Sequence, residues 1–247
     1  YNYRTTGVTV NNVLNYNKRF NDLHGIKLLA GHEYYEYHYI YQYGSRSNFV
    51  LPNLYEPVAA SILGNYTGYS QEYKLLSFFG NAEYEFNNKY FVSASLRTDG
   101  SSRFHLDNRW GTFWSVGASW RVIHEDFMKT IPCISNLTLR SSYGAQGNDK
   151  VGYYAYQALY DIVNNLGEAG IVTSKLETKD LIWESNLNFN VGLDFGLFNN
   201  RLSGTAEFFH RKSKDLLFNI PIPYSQGYSS KTANVGTVQN VGIDFSI

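Results

Sequence analysis

The sequence predicts an all-β fold, a segment of an antiparallel up-and-down transmembrane β-barrel, and three observations carry that prediction. Apolar and polar residues alternate with a period of two along most of the chain, as they must on a strand with one apolar and one wet face. The connections alternate between very short turns and long polar or aromatic loops, the asymmetry of outer-membrane barrels, with turns on the periplasmic side and loops outside. The composition is 17% aromatic and only 17% charged, whereas soluble domains carry about 25% charged residues.

In chain order, the first two strands are predicted over Thr5–Phe20 and Ile26–Tyr43, joined by the turn Asn21 to His24. From Leu75 to Phe86, one face is Leu76, Phe78, Gly80, Ala82, Tyr84 and Phe86, and the other carries Ser77, Asn81, Glu83 and Glu85. Asn87-Asn88-Lys89 reads as a tight turn, and Tyr90, Val92, Ala94 and Leu96 return opposite Ser93, Ser95, Arg97 and Asp99. Thr112–Val122 sets Trp114, Val116, Ala118 and Trp120 against Ser115, Gly117, Ser119 and Arg121. A weaker strand covers Leu137–Gln146. Leu187–Leu197 alternates Leu187, Phe189, Val191, Leu193 and Phe195 with Asn188, Asn190, Gly192 and Asp194. Asn199-Asn200 turns the chain, and Leu202, Ala206 and Phe208 continue the apolar face on the return. A last strand runs over Asn234–Ile247, making about nine strands, most of them reaching the ~9–11 residues that a tilted strand needs to cross a bilayer.

The long connections are Gly44 to Gln71, Gly100 to Trp110, Gly147 to Glu184 and Ser213 to Ala233. Ile123 to Asn136 is intermediate and falls on the short-turn side, with a helical turn over Glu125–Lys129. The chain is read as one partial barrel region, residues 1–247, without a signal peptide.

Several function classes are excluded. With 21 Lys+Arg against 21 Asp+Glu the net charge is zero, which gives no electrostatic case for nucleic acid. Cys133 is alone, so neither an intrachain disulfide nor a cysteine zinc site can form. No apolar run reaches the ~18 residues of a helical span, a test that cannot see barrel strands. His32, Tyr34, Glu36 and His38 share a strand face, but His32 and His38 lie about 20 Å apart at ~3.3 Å per residue, too far for one ion. They read as polar and aromatic residues above the membrane rim, and no metal or cofactor is expected. Asp99 with Asp107 and Glu125 with Asp126 fall at opposite ends of the strands, which argues against a glycosidase pair. Ser101-Ser102 lacks the context of a nucleophile elbow, and the glycines from Gly144 to Gly152 open no helix that would cradle a phosphate. No catalytic residue is expected.

The residues that remain are binding candidates. Tyr153, Tyr154, Tyr156, Trp183, Tyr224 and Tyr228 sit in the long loops, where aromatic faces stack on sugars or cover a partner. Asn81, Glu83, Arg97, Asn188, Asn190 and Asp194 occupy the polar strand face that would line a lumen or meet a plug. Two rival readings are a soluble β-sandwich that binds glycans or another partner, and an outer-membrane enzyme.

Several strings carry a family resemblance. They are Arg97-Thr98-Asp99-Gly100-Ser101-Ser102-Arg103-Phe104, Arg109-Trp110-Gly111, Trp120-Arg121-Val122, Glu125-Asp126-Phe127-Met128 and Leu139-Arg140-Ser141-Ser142-Tyr143-Gly144. Gly147-Asn148, Trp183-Glu184, Gly192 to Leu202, Asn234-Val235-Gly236 and Asn240-Val241-Gly242 follow in order. Over about residues 72 to 247 the chain resembles the SusC/RagA family of TonB-linked outer-membrane receptors, departing from it at Phe113-Trp114-Ser115, where Phe-Pro-Ser is commoner. The resemblance implies part of a large plugged barrel in the outer membrane of a Gram-negative bacterium. It further implies import of glycans or peptides with energy from TonB, and a SusD-like surface lipoprotein as lid over the mouth. Nine strands are too few for the whole family barrel, and no plug domain or TonB-binding segment is recognised in residues 1–247.

Overall fold

A computed structural model describes all of residues 1–247. Its strands are β1 (Asn2–Phe20), β2 (His24–Phe49), β3 (Ala60–Phe86), β4 (Tyr90–Ser101), β5 (Trp110–Arg121) and β6 (Ile134–Asn148). A small hairpin of β7 (Leu159–Asn165) and β8 (Glu168–Lys175) precedes β9 (Glu184–Leu197) and β10 (Leu202–Lys214). A second hairpin, β11 (Leu217–Pro221) and β12 (Ser230–Asn234), precedes β13 (Thr237–Ser246). Nine strands form one sheet in the order β1-β2-β3-β4-β5-β6-β9-β10-β13, and every neighbouring pair is antiparallel. This is the predicted up-and-down meander.

The short turns follow from their asparagines. Asn21 and Asp22, Asn87 and Asn88, and Asn199 and Asn200 all have positive φ, the left-handed conformation that tight hairpin turns require and that Asn and Asp tolerate best among residues with a Cβ. The intermediate connection folds into two short 3-10 turns, Val122–His124 and Asp126–Thr130, close to the expected helical turn.

Three expected loops are shorter than read from the sequence. Strands β2 and β3 continue past Gly44 and begin before Gln71, so residues 50–59 alone join them. The connections Gly147 to Glu184 and Ser213 to Ala233 contain the hairpins β7–β8 and β11–β12. The cause is common to all three. Strand segments that stand in water on both faces need no apolar–polar alternation, so a period-two test does not register them.

The register separates two faces. On one, exposed apolar side chains accumulate: Phe78, Val92, Leu96, Val116, Phe208 and Ile243 are each at least 40% accessible. Aromatic rings are linked along this face at both heights. Phe86, Tyr90 and Trp120 stack at 6.3 and 6.2 Å, and Trp114, Tyr143, Phe189 and Phe208 follow one another at 5.3, 6.3 and 6.5 Å. From Phe86 to Leu76 the strand rises about 33 Å at ~3.3 Å per residue, or about 25 Å vertically at a ~40° tilt, the height of a barrel's lipid band. Immediately above, on the same face, the pairs Lys74–Glu36 (3.0 Å) and His38–Glu72 (3.8 Å) begin.

Only 14 of 247 residues are buried, so no core lies between packed sheets as the sandwich alternative requires. The one hydrophobic cluster, Phe104, Ala155 and Leu181, with Val151, Trp183 and Leu217 against it, sits in the loops at the external end.

Candidate functional site

The polar face of the sheet carries its charges in a band. Arg97 is the hub on β4: its Nε donates to both carboxylate oxygens of Asp99 (2.7 and 3.0 Å), Nη2 donates to Ser77 Oγ (2.9 Å) and lies 3.6 Å from Glu33, and the guanidinium covers the Phe79 ring at 5.5 Å. Lower on the same face, Lys27 lies 3.6 Å from Glu83, Asn81 Nδ2 donates to Glu83 (3.2 Å), and Arg19 pairs with Glu85 (2.5 Å). Across the sheet Arg140 bridges Asp194 (3.2 Å) and Glu207 (2.6 Å), joining three strands. Asn190 Nδ2 donates to Ser142 Oγ (3.4 Å), while its buried Oδ1 has no partner.

The six residues read as lumen-facing share this face. Asn81 stands opposite Ser95, Glu83 opposite Ser93 and Arg97 opposite Phe79, and Asn188, Asn190 and Asp194 stand opposite Gly144, Ser142 and Thr138. Near the end bearing the short turns, Asn17, Lys27, Glu83, Glu85 and the small residues Ser93, Gly117, Ser119 and Ser141 line a hollow of about 590 Å³. The absence of bulk at Gly117 and its serine neighbours deepens the wall there, and the charged residues rim it.

At the external end the loops close into a clasp. Asp149 accepts from the hydroxyls of Tyr73 (2.8 Å) and Ser101 (2.7 Å), and Arg103 Nη1 donates to the Asp149 carbonyl (3.0 Å). The Arg103 guanidinium lies over Tyr73 and Tyr153 at 4.6 and 4.9 Å. Asn234 Oδ1 accepts from Ile182 N–H (2.9 Å) and its Nδ2 donates to the carbonyls of Ile182 and Asp215 (both 2.8 Å), tying two long loops together.

Four of the six external aromatics are part of this clasp. Tyr153 packs on Tyr73 at 6.2 Å. The Tyr154 hydroxyl accepts the backbone N–H of Glu72 (2.9 Å), and Tyr156 accepts from Gln157 (2.8 Å) with its ring 5.9 Å from His105. Trp183 sits between Phe104 (5.4 Å) and Phe113 (5.3 Å), and its Nε1 donates to the Arg109 carbonyl (2.9 Å). Tyr224 and Tyr228 lie apart from them between β11 and β12. Tyr224 is 83% exposed and Tyr228 is half-buried.

The acidic and histidine candidates do not assemble. His32 bonds Asn12 (3.1 Å), His38 faces Glu72, and no three ligating side chains converge. Asp107 lies 3.2 Å from His105, and Glu125 is at the opposite end of the sheet with Lys89, Tyr90 and Trp120.

Two features were missed in the sequence. Arg103 and Asp149 are far apart in the chain and meet only when the loops fold. The other feature was open to view: Tyr35, Tyr37, Tyr39, Tyr41 and Tyr43 alternate along β2. The candidates His32, Tyr34, Glu36 and His38 lie on the opposite face of that strand.

The comparisons agree with this geometry. A family model described as TonB dependent receptor-like, beta-barrel, matches residues 1–247. The chain is 35% identical over 243 residues to the TonB-dependent receptor P39 of Formosa agariphila, covering 96% of this chain and 23% of that protein. It is 38% identical over 191 residues to the TonB-dependent receptor SusC of Bacteroides thetaiotaomicron, covering 73% of this chain and 19% of that one. The solved RagAB peptide transporter superposes with a TM-score of 0.92 at 34% identity, over 98% of this chain and 27% of the other. The siderophore receptor PirA from Pseudomonas aeruginosa, 13% identical with a TM-score of 0.62, shares the fold. The chain thus spans 19 to 25% of the length of the curated relatives it matches.

Proposed function

We propose, from the premise that this chain belongs to the TonB-dependent receptor β-barrel family, that it forms part of the wall of an outer-membrane import channel in a Gram-negative bacterium. Its apolar face lies in lipid, its polar face lines the lumen or meets a plug, and its long loops face outward. In this reading the channel imports glycans or peptides, with energy from TonB and a SusD-like lipoprotein over the mouth. The RagAB peptide transporter supports the peptide part of that range, and SusC the dependence on TonB, by their likeness to the chain. The reading involves no covalent chemistry: substrate passes by rearrangement of the lumen.

One observation carries the proposal. A single sheet exposes Phe78, Val92, Leu96, Val116, Phe208 and Ile243 on one face and places Arg97, Arg140, Asp194 and Glu207 on the other. In water such an apolar face would demand a cover, whereas in a bilayer it is solvated. The edge strands β1 and β13 carry unpaired backbone groups that hydrocarbon does not tolerate, so the channel reading needs further strands to close the barrel. Among the external aromatics, Tyr224 is the most available to touch a substrate or the lid, because Tyr153, Tyr154, Tyr156 and Trp183 bind within the clasp.

The test is uptake by cells that carry or lack the full-length gene product, offered labelled glycan and peptide fractions with and without a working TonB. Uptake of one fraction that requires both is the expected result. Equal uptake in all strains, or recovery of the full-length protein as a water-soluble monomer, refutes the channel.

A further inference from the structure

Above the charged band, the polar face changes character. On β2, Tyr35, Tyr37, Tyr39, Tyr41 and Tyr43 occupy consecutive positions on the face that carries Glu33 and Arg97 lower down. Opposite them β3 supplies Tyr73, Gln71, Tyr69 and Thr67, and β1 supplies Thr9, Gly7, Thr5 and Tyr3. None of these side chains is charged. Cross-strand ring pairs knit the surface together: Tyr35–Tyr73 at 6.0 Å, Tyr39–Tyr69 at 5.9 Å and Tyr41–Tyr69 at 5.2 Å. The charges at its border, Arg103 and Asp149, are taken up by each other at 3.7 Å. The reverse face of the same hairpin carries Glu36, Lys74, His38 and Glu72 in pairs. Charge is therefore confined to one side of a hairpin that rises above the lipid band, and the run of five tyrosines on β2 lies on the other.

Resting on the proposed function, which turns this face toward the channel mouth, we infer that the tyrosine wall of β1, β2 and β3 is a binding surface for an uncharged oligosaccharide. Successive inward rings stand about 6.6 Å apart along the strand, giving a ladder on which the C–H faces of sugar rings stack. Phenol hydroxyls both donate and accept, matching sugar hydroxyls in either sense. Tyr73, Tyr154 and Tyr156 spend theirs within the chain, whereas Tyr35, Tyr37, Tyr41 and Tyr43 do not. An acidic sugar or a peptide with charged ends would lose hydration here without gaining a counter-charge. The wall thus selects for neutral, hydroxyl-rich ligands, and the β2 rings are half-buried, with Tyr35, Tyr39 and Tyr41 pre-set by cross-strand ring partners, which lowers the ordering cost of binding.

The experiment is calorimetric titration of the purified full-length receptor in detergent. The probes are hexa- to octasaccharides of neutral glucans and mannans, an oligogalacturonate of similar length, and a mixed peptide pool. A neutral oligosaccharide is expected to bind, with Tyr39→Ala and Tyr41→Ala each weakening it roughly three- to tenfold. Tyr39→Phe, which keeps the ring, loses less, and Tyr34→Ala on the reverse face changes nothing. Heat-modifiable gel mobility confirms that each variant is folded, and Tyr39→Phe and Tyr41→Phe give the readout if an alanine variant is not. Binding of only the acidic sugar or the peptides, binding of no neutral probe, or neutral binding that ignores Tyr39 and Tyr41 overturns the inference. A receptor that imports its substrate in a TonB-dependent way yet binds no neutral oligosaccharide refutes the wall and leaves the channel standing. A receptor without such uptake refutes the channel whatever the wall binds.

Discussion

At the external end of the sheet, Phe104 is fully buried beside Ala155 and Leu181. At the opposite end, Asn21-Asp22, Asn87-Asn88 and Phe198-Asn199-Asn200 are exposed and hold their shape through positive φ angles. Long loops carry too much conformational entropy to be fixed by dihedral preference, so they acquire a small core of the kind found in soluble domains. Short turns have little entropy to lose and need only residues that accept a left-handed backbone. The two ends should therefore respond differently to mutation, and the wall between them differently again.

The largest effect belongs to the clasp. Phe104→Ala removes a side chain with no accessible surface and should cost about 3–5 kcal/mol through lost transfer energy and the cavity left behind. The cost should fall on residues 102–109 and 149–183, read as new cleavage sites in limited proteolysis of the full-length protein, with the barrel's heat-modifiable mobility retained. Loops that stay protected would show that the clasp is held by its Asp149 and Asn234 hydrogen bonds instead of by its core. Next in size is the wall. Val116 and Ser115 are neighbours on opposite faces of β5, Val116 47% exposed on the apolar face and Ser115 bonded across to Ser95 (2.6 Å). Val116→Arg should cost about 2–4 kcal/mol at mid-bilayer and Ser115→Arg much less, measured by urea unfolding in lipid vesicles. Equal costs would mean that the two faces see the same medium.

How much of this was legible in the sequence follows from where each interaction lies. The hairpin Leu75–Leu96 could be read because lipid on one side and polar surroundings on the other impose alternation on Phe78, Ala82 and Tyr84 against Asn81 and Glu83. The parts of β2 past Gly44 and of β3 before Gln71 could not, since water on both sides removes that constraint; the tyrosine run at Tyr35–Tyr43 lay within the predicted strand and shared a face by alternation, but its neighbours on β1 and β3 were unknown until the register was. Alternation alone put Arg97 and Asp194 on the polar face. Arg103 with Asp149, and Arg140 with Glu207, needed the fold, because no spacing in the chain relates them. Tyr153, Tyr154, Tyr156 and Trp183 were correctly placed outside the strands as loop aromatics, and the structure shows that their rings and polar groups are engaged within the protein.

The smallest effect is at the other end, where one carboxylate does what burial does in the clasp. Glu125 accepts from the Tyr90 hydroxyl (2.6 Å), Lys89 Nζ (3.0 Å) and Trp120 Nε1 (3.1 Å), fastening the 3-10 connection to the neighbouring β3–β4 turn. These donors, the Tyr90 hydroxyl foremost, hold its carboxyl down at about 2, below the ordinary 4.5. A carboxyl depressed in the folded state stabilises above its ordinary value, and that contribution is lost as pH falls from about 4.5 toward 2. The stability difference between wild type and Glu125→Gln should accordingly be constant from pH 7 to 5 and shrink below pH 4.5, followed by denaturant unfolding at each pH. The penalty of Phe104→Ala, which titrates nothing, should stay level across the same window. A Glu125 difference that also stayed level would mean that shape at this connection, where Met128 of the adjoining 3-10 turn is buried, outweighs the charge, and the two ends would then be held by one kind of force.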